Sequence, residues 1–455
     1  MCVLCARVSV ILALAVLVLP SVSLADAGAD PSAPPNVLLI TVDTLRADHL
    51  GAYDYPLPTS PRIDELARSG VRCAAVMATA SETAPATASL LTGLYQPGHR
   101  VVENRSTLPA DVTTLAEHLR ARGYATAGFV GNELVGDGFG FAQGFDHFEI
   151  FGQDASLHSD AKGAALAEAW LRSAPTAPWH LWVHFMDPHG PYAPDHDWET
   201  RDYPDGWFGD DVPVPVGRGN IGLGSIPRYQ MIPRESQLSS YVRRYDGEIS
   251  FTDGQIGRLV DVVRELGMDE RTLIVVTADH GEGLTEHAEY LQHGWFVYET
   301  TLHVPLIVSW PGTLPAGHVV TASMSGVDLT PTLLELVGHP APMLEGASVR
   351  EQFAADASGM DDHVALAVGA RVNHPFAVRE GRWKLIHTRA AGPPVPASRV
   401  MLRSFDVSER YELYDLVADP GETTNRLALD PAEGARLAER ARGFRRALQM
   451  SGQRW

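Results

Sequence analysis

Cysteine is scarce in this chain and poorly placed for a disulfide framework. Of 3 cysteines in 455 residues, Cys2 and Cys5 sit at the extreme N-terminus, which leaves Cys73 alone in the body of the protein. No internal disulfide is available to the remainder, so stability must come from a packed core. Basic residues are short as well: 36 Lys and Arg face 56 Asp and Glu, for a formal net charge of −20. Such a surface repels nucleic acid and anionic lipid, which excludes a polynucleotide-binding scaffold. An anionic substrate then needs a local positive feature, such as a metal ion. Long apolar runs are limited to one, Val8–Leu19, which follows Arg7 and leads through Pro20 to Ser23-Leu24-Ala25. The run is short for a span of about 20 residues, and a small-residue site follows it. It reads as a signal peptide over 1–25, cleaved before Asp26, with no lipid-attachment cysteine behind it. The expected product is exported, periplasmic or secreted, with no stable membrane span after cleavage. Internal repeats and low-complexity runs are absent.

The body of the chain has ordinary globular composition and is long enough for one large domain and a smaller one. Residues 26–35 form a linker. Asn36–Val42 (NVLLITV) is nearly continuously apolar, the pattern of a strand buried on both faces, and ends at Asp43. Helices are predicted at 61–69, 87–92, 112–122, 159–173 and 234–266, with strands at 124–130, Trp179–Phe185, Thr272–Thr277 and Pro305–Ser309. This alternation predicts an α/β fold, a large mostly parallel sheet sandwiched by helices over 36–345. Short strands at Phe376–Arg379 and Trp383–His387 and a helix near 431–449 predict a small α+β subdomain over 346–455. Residues 195–233, rich in Pro, Gly and Asp, read as a long surface excursion and a candidate substrate-side lid.

Two apolar strands thus end in polar residues, at Asp43 and at Asp279-His280. In a parallel sheet both ends emerge on one edge, where such folds build their sites. Two carboxylates and an imidazole suit Ca²⁺, Mg²⁺, Mn²⁺ or Zn²⁺ alike. Read alone, either strand end favours the plainer reading, Asp43 as a turn cap and Asp279-His280-Gly281 as a loop with a helix cap. Between them, Pro85 fits the first turn of a helix that Gly93 ends, with Thr83 just before it. A hydroxyl there, touching a cation, is acidified and aimed at an anion held by the helix start; alone, Thr83 reads as an N-cap and no more.

Several segments resemble the sulfatase family of the alkaline-phosphatase superfamily. They are Asn36–Gly51 (NVLLITVDTLRADHLG), Ser89–Gly98 (SLLTGLYQPG), Leu181–Tyr192 (LWVHFMDPHGPY), Thr277–Gly283 (TADHGEG), Val304–Gly312 (VPLIVSWPG) and Asp328–Gly338 (DLTPTLLELVG). Trp383–Ile386, Glu412–Asp415 and Asp419–Glu422 resemble that family's C-terminal subdomain, so the likeness runs in order from Asn36 to the 420s. It implies one divalent metal ion held by Asp43, Asp279, His280 and Thr83, with Thr83 as nucleophile. It places His189 and His184 near the leaving group, and His293 and Asn132 on the substrate side. Thr44 stands where many sulfatases have a further Asp, which implies a smaller ligand set.

Three departures shape the expected reaction. The nucleophile position holds Thr83, which cannot become the formylglycine that sulfatases use, so no formylglycine is expected. Thr87 replaces an Arg, and Asn132-Glu133-Leu134 replaces a Lys-x-His. Threonine is the nucleophile of related metal-dependent phosphodiesterases and of phosphoglycerol and phosphoethanolamine transferases. The resemblance therefore implies a metal-dependent hydrolase of a sulfate or phosphate ester, with phosphate mono- or diesters preferred. The alternatives are phosphoryl transfer to an alcohol acceptor and a catalytically dead relative that binds a glycan. The expected partner is a small-molecule, glycan or lipid-headgroup ester, and no nucleic acid. The leader yields a direct prediction: the exported protein should begin at Asp26 by intact mass, and retention of 1–25 would refute cleavage.

Overall fold

Every residue of Asn36–Val42 is buried, as a strand covered on both faces requires. This strand, β1, lies near the middle of an eight-stranded sheet. The others are β2 (Val71–Met77), β3 (Ala125–Val130), β4 (His147–Ile150), β5 (Trp179–Phe185), β6 (Thr272–Ala278), β7 (His303–Ser309) and β8 (His318–Ser325). Their order is β4-β3-β5-β1-β6-β7-β2-β8, and only β7 runs against the rest. The structure, a computed structural model, describes residues 34–152, 159–176, 178–194, 213–340, 344–355, 362–369, 375–388 and 410–450, with 198, 203, 204, 207 and 211 singly between. The segment expected to be a leader, most of the expected linker and part of the 195–233 excursion lie outside the described residues.

The helices are α1 (Pro61–Ser69), α2 (Thr83–Thr92), α3 (Gln96–His99), α4 (Leu115–Arg120), α5 (Asp160–Arg172), α6 (Leu238–Glu265), α7 (Glu299–Leu302), α8 (Leu329–Leu336) and α9 (Pro431–Met450). α1 and α5 pack on α6, while α2 and α4 pack on α8. Three of the sequence-derived helix boundaries need correction, the first being α6, which begins at Leu238 and not 234. α2 begins at Thr83, not 87, so Thr83 is its first helical residue and Glu82 is the N-cap. α4 is shorter than 112–122 because Thr114 caps it through a reciprocal bond with Glu117. Strands β2, β4, β8 and the later Ala365–Val368 were not anticipated at all.

The described part of the excursion does not stand free as a lid. Tyr290 N donates to Gly222 O at 2.6 Å, and Gly222 N donates to Gln292 Oε1. Tyr229 Oη and Gln230 Nε2 both donate to Leu291 O at 3.2 Å. It is thereby fastened to the stretch that leads into His293.

A second sheet of four antiparallel strands follows, in the order β12-β11-β10-β9, from β9 (Ala365–Val368), β10 (Phe376–Glu380), β11 (Trp383–Thr388) and β12 (Arg410–Asp415). Helix α9 packs on β10 and β11. A buried cation ties this sheet to the first part of the chain. Lys384 is fully buried on β11, with Nζ 2.8 Å from Glu299 Oε1 and 2.9 Å from Glu422 Oε1. Arg379 adds a 2.9 Å bond to Glu299 Oε2. Burial raises the Glu299 carboxyl, but Lys384 and Arg379 outweigh it and bring it down to about 2. Lys384→Met leaves two acidic groups without their shared cation. A loss of about 3 kcal/mol or more in denaturant unfolding is expected, and a loss below about 1 kcal/mol would show that the clasp is dispensable.

Candidate active site

The register of β1 against β6 decides where the acidic groups meet. Val42 pairs with Ala278, so Asp43 and Asp279 leave adjacent strands at the same level. Thr44 then turns at φ 58°, an uncommon conformation for a β-branched residue. The turn aims Thr44 N at Asp279 Oδ1, at 3.4 Å, and Tyr245 Oη holds it by donating to Thr44 O at 2.7 Å. Both carboxylates are essentially without solvent exposure.

Each carboxylate is used asymmetrically. Asp279 Oδ1 accepts from His280 N at 2.8 Å as well as from Thr44 N, whereas Oδ2 has no hydrogen-bond partner. Asp43 Oδ2 accepts from Asn132 Nδ2 at 2.9 Å, whereas Oδ1 has no hydrogen-bond partner. The two unpartnered oxygens each lie 3.6 Å from His280 Nε2. His280 Nδ1 lies 2.9 Å from Gly281 O, and a carbonyl only accepts. That bond puts the ring proton on Nδ1 and leaves the Nε2 lone pair facing the carboxylates.

Electrostatics separate the two acids. For Asp43, burial pushes upward, but the adjacent His184, His189 and His280 rings win and hold it below the usual carboxylate range. For Asp279, burial and then the neighbouring Asp43 charge push it well above that range. Two buried like charges at this spacing need a cation or a shared proton. Buried oxygens without partners, a bare imidazole nitrogen and an adjacent hydroxyl are the donor set of a hard or borderline divalent ion. His184 Nε2 and oxygens of Asp43 and Asp279 also lie within 4.8 Å of one another, so His184 joins the cluster geometrically.

Thr83 enters from the start of α2. Its Oγ1 is 3.3 Å from His280 Nε2 and 3.5 Å from Asp43 Oδ2, and the residue is buried. Ala84 N donates to Asn104 Oδ1 at 2.9 Å, so one free amide of the helix start is already engaged. Of the sequence candidates, Asp43, Thr83, Asn132, His184, Asp279 and His280 therefore surround one point. His189 and His293 form a second tier. The His293 ring centroid is 4.4 Å from that of His280 and 5.3 Å from that of His189. His189 is half-buried, with Nδ1 2.8 Å from Gly190 O.

Two residues escaped the sequence reading. Glu282 is buried behind His293, accepting from His293 Nδ1 at 3.0 Å and from Tyr192 Oη at 3.1 Å. Burial raises its carboxyl to about 7. The TADHGEG segment contains it, but nothing in a single sequence says which of its polar residues turns inward. Asn104, in an irregular stretch after α3, carries no local signal at all.

The sulfatase family pattern matches residues 35–339, and a pattern for the C-terminal part of N-sulphoglucosamine sulphohydrolase matches 291–392. The chain belongs to the sulfatase family, a family of metal-dependent hydrolases. It is 26% identical over 466 residues to the choline-sulfatase of Rhizobium meliloti, covering 87% of this chain and 83% of that protein. Human arylsulfatase A is 29% identical over 448 residues, covering 88% and 85%. A protein solved with D-glucosamine-2-N,6-O-disulfate superposes with a TM-score of 0.72 at 20% identity, over 91% of this chain and 98% of the other. The phosphonate monoester hydrolase of Agrobacterium radiobacter gives 0.68 at 22%, over 92% and 96%. These superpositions establish the alkaline-phosphatase-like fold. Among the described residues no helix is long and apolar enough to cross a membrane.

The donor set predicts a linked stability. Chelator-treated protein should melt lower than protein given a divalent ion, by about 4 kcal/mol of stabilisation at a thousandfold excess over Kd. Asp279→Asn should abolish that difference; an equal response in the variant would exclude the carboxylate pair as its origin.

Proposed function

We propose that this sulfatase-family hydrolase cleaves a phosphoric mono- or diester, with Thr83 as nucleophile. The supporting observation is Thr83 Oγ1 itself, at the start of a buried helix and within 3.5 Å of both His280 Nε2 and Asp43 Oδ2. A threonine cannot supply the aldehyde through which a sulfatase expels sulfate. A phosphothreonine, by contrast, remains open to water at phosphorus. The fold is shared with a phosphonate monoester hydrolase, so a phosphorus ester suits this scaffold.

The residues divide the work. Asp43, Asp279, His280 and Thr83 would hold the cation. When bound, it acidifies the threonine hydroxyl and offsets charge on the non-bridging oxygens. Thr83 Oγ1, its proton released to water, forms the new bond to phosphorus as the ester oxygen leaves, and the dipole of α2 favours the anion. His189, with Nδ1 committed to Gly190 O, offers Nε2 to protonate the leaving oxygen. His293, braced by Glu282, and Asn132 face the substrate. Water then attacks the phosphothreonine and restores the hydroxyl. The substrate is a small-molecule, glycan or lipid-headgroup ester.

The test is turnover of paired p-nitrophenyl sulfate, phosphate, bis-phosphate and phenylphosphonate, with chelator and with added Mn²⁺, Ca²⁺ or Zn²⁺. Metal-dependent cleavage of a phosphorus ester is expected, falling by about 10³-fold or more in Thr83→Ala and abolished in Asp279→Ala. Sulfate turnover that survives in Thr83→Ala would overturn the assignment. Product transfer to an added alcohol in place of water would make the chain a transferase.

A further inference from the structure

The two histidines of the second tier stand on separate loops, and something must hold one ring against the other. We infer that Gln230, on the long excursion, is a positioning residue that clamps these loops together and keeps His189 where a leaving oxygen needs a proton. Its role rests on the proposed reading of His189 as the acid of the reaction.

The start of the His189 loop is fixed by two helices. Met186 N donates to Asp160 Oδ1 at 2.7 Å, and Thr252 Oγ1 lies 2.9 Å from Asp187 O. His189 N then donates to Met186 O at 2.8 Å and closes a turn. Gly190, whose carbonyl lies 2.8 Å from His189 Nδ1, is met from another side. A β-carbon placed on Gly190 would lie 1.8 Å from Gln230 Nε2 and 2.3 Å from its Cδ and Oε1. The amide of Gln230 therefore occupies the space that any side chain at 190 would need, and close approach requires a glycine.

The same amide reaches the other loop. Gln230 Nε2 donates to Leu291 O at 3.2 Å, where Tyr229 Oη also donates at 3.2 Å. Leu291 is buried at φ 48°, a left-handed conformation uncommon for leucine, two residues before His293. Such a backbone persists only where its surroundings hold it, and these two donors do so. Gln230 is itself only 2% exposed, and its Oε1 has no hydrogen-bond partner. A buried amide with one end unpaired is a costly way to fill space, which an apolar side chain would do without that penalty. What explains the amide is the pair of places it joins, Gly190 behind His189 and Leu291 ahead of His293. The rings of those two histidines lie 5.3 Å apart, centroid to centroid.

The experiment uses pairs of esters that differ in their need for a proton. They are p-nitrophenyl and phenyl phosphate, bis-p-nitrophenyl and diphenyl phosphate, and p-nitrophenyl and phenyl sulfate. Nitrophenolate departs unaided, whereas phenolate, with a phenolic pKa of about 10, gains from an acid. On whichever pair the parent turns over, His189→Ala should lower kcat about 100-fold on the phenyl ester and less than about tenfold on its nitro partner. Gln230→Ala should show the same preference more weakly, with kcat about tenfold lower on the phenyl ester and KM within about twofold on both. Gly190→Ala, whose methyl displaces the amide, should match it, and the double variant should be no worse than either. An equal loss on both esters in Gln230→Ala, no loss at all, or losses that add in the double variant would overturn the clamp. Equal losses in His189→Ala would remove the acid reading and the clamp's role with it. A preference in His189→Ala that Gln230→Ala lacks would overturn the clamp alone. The sulfate pair separates failure of the phosphorus reading from failure of the clamp. A readout that needs no turnover is the His189 ring signal in NMR of the histidine-labelled protein, assigned by its loss in His189→Ala. It should shift in both Gln230→Ala and Gly190→Ala, and an unmoved signal would overturn the inference.

Discussion

Two carboxylates forced side by side in a dry place are the constraint around which this molecule is arranged. β1 and β6 are neighbours in register, so Asp43 and Asp279 leave the sheet together, and both are shut away from water. Such a pair is unfavourable unless its charge is met. The surroundings meet half of it. Two backbone amides attend one oxygen of Asp279, Asn132 and Thr83 attend one oxygen of Asp43, and the other oxygen of each acid has no hydrogen-bond partner. The start of α2 and the proposed nucleophile sit at that deficit. Thr83 is useful because α2 delivers its hydroxyl to the same point, with the positive end of the helix behind it.

The parts of the fold visible in the sequence were those whose burial is total. β1, β5 and β6 read as apolar runs because no face of them meets water, and their ends marked Asp43, Asp279 and His280. The strands that escaped are of mixed exposure or composition. β2 (VRCAAVM) alternates buried and half-buried positions and is built partly of alanine, β8 (HVVTASMS) is half polar, and β4 has no buried residue. Antiparallel β7 was seen as a strand, but its direction depends on a connection that no local pattern records. The start of α2 was missed because Thr83, Ala84 and Pro85 satisfy a loop and a first turn equally well.

Within the site, residue types were more legible than their company. That Asp, His and Thr gather at one edge follows from where strands end. That Glu282 turns inward to brace His293, or that Asn104 takes up the amide of Ala84, depends on loops with no period to read. His184 shows the same limit from the other side. Its position was recognisable, but its contact with Thr41 across a strand pair, and through Thr41 with Trp182, was not.

The excursion before α6 has a consequence of another kind. Its described part shares backbone and side-chain bonds with residues 289–292, immediately ahead of His293. The carboxylate pair belongs to the sheet, whereas His293 follows a stretch braced by the excursion. Under the proposed reading, reaction and recognition then have separate foundations. A lineage could exchange a few dozen loop residues, and with them the ester it accepts, while the strands that set the chemistry stay as they are.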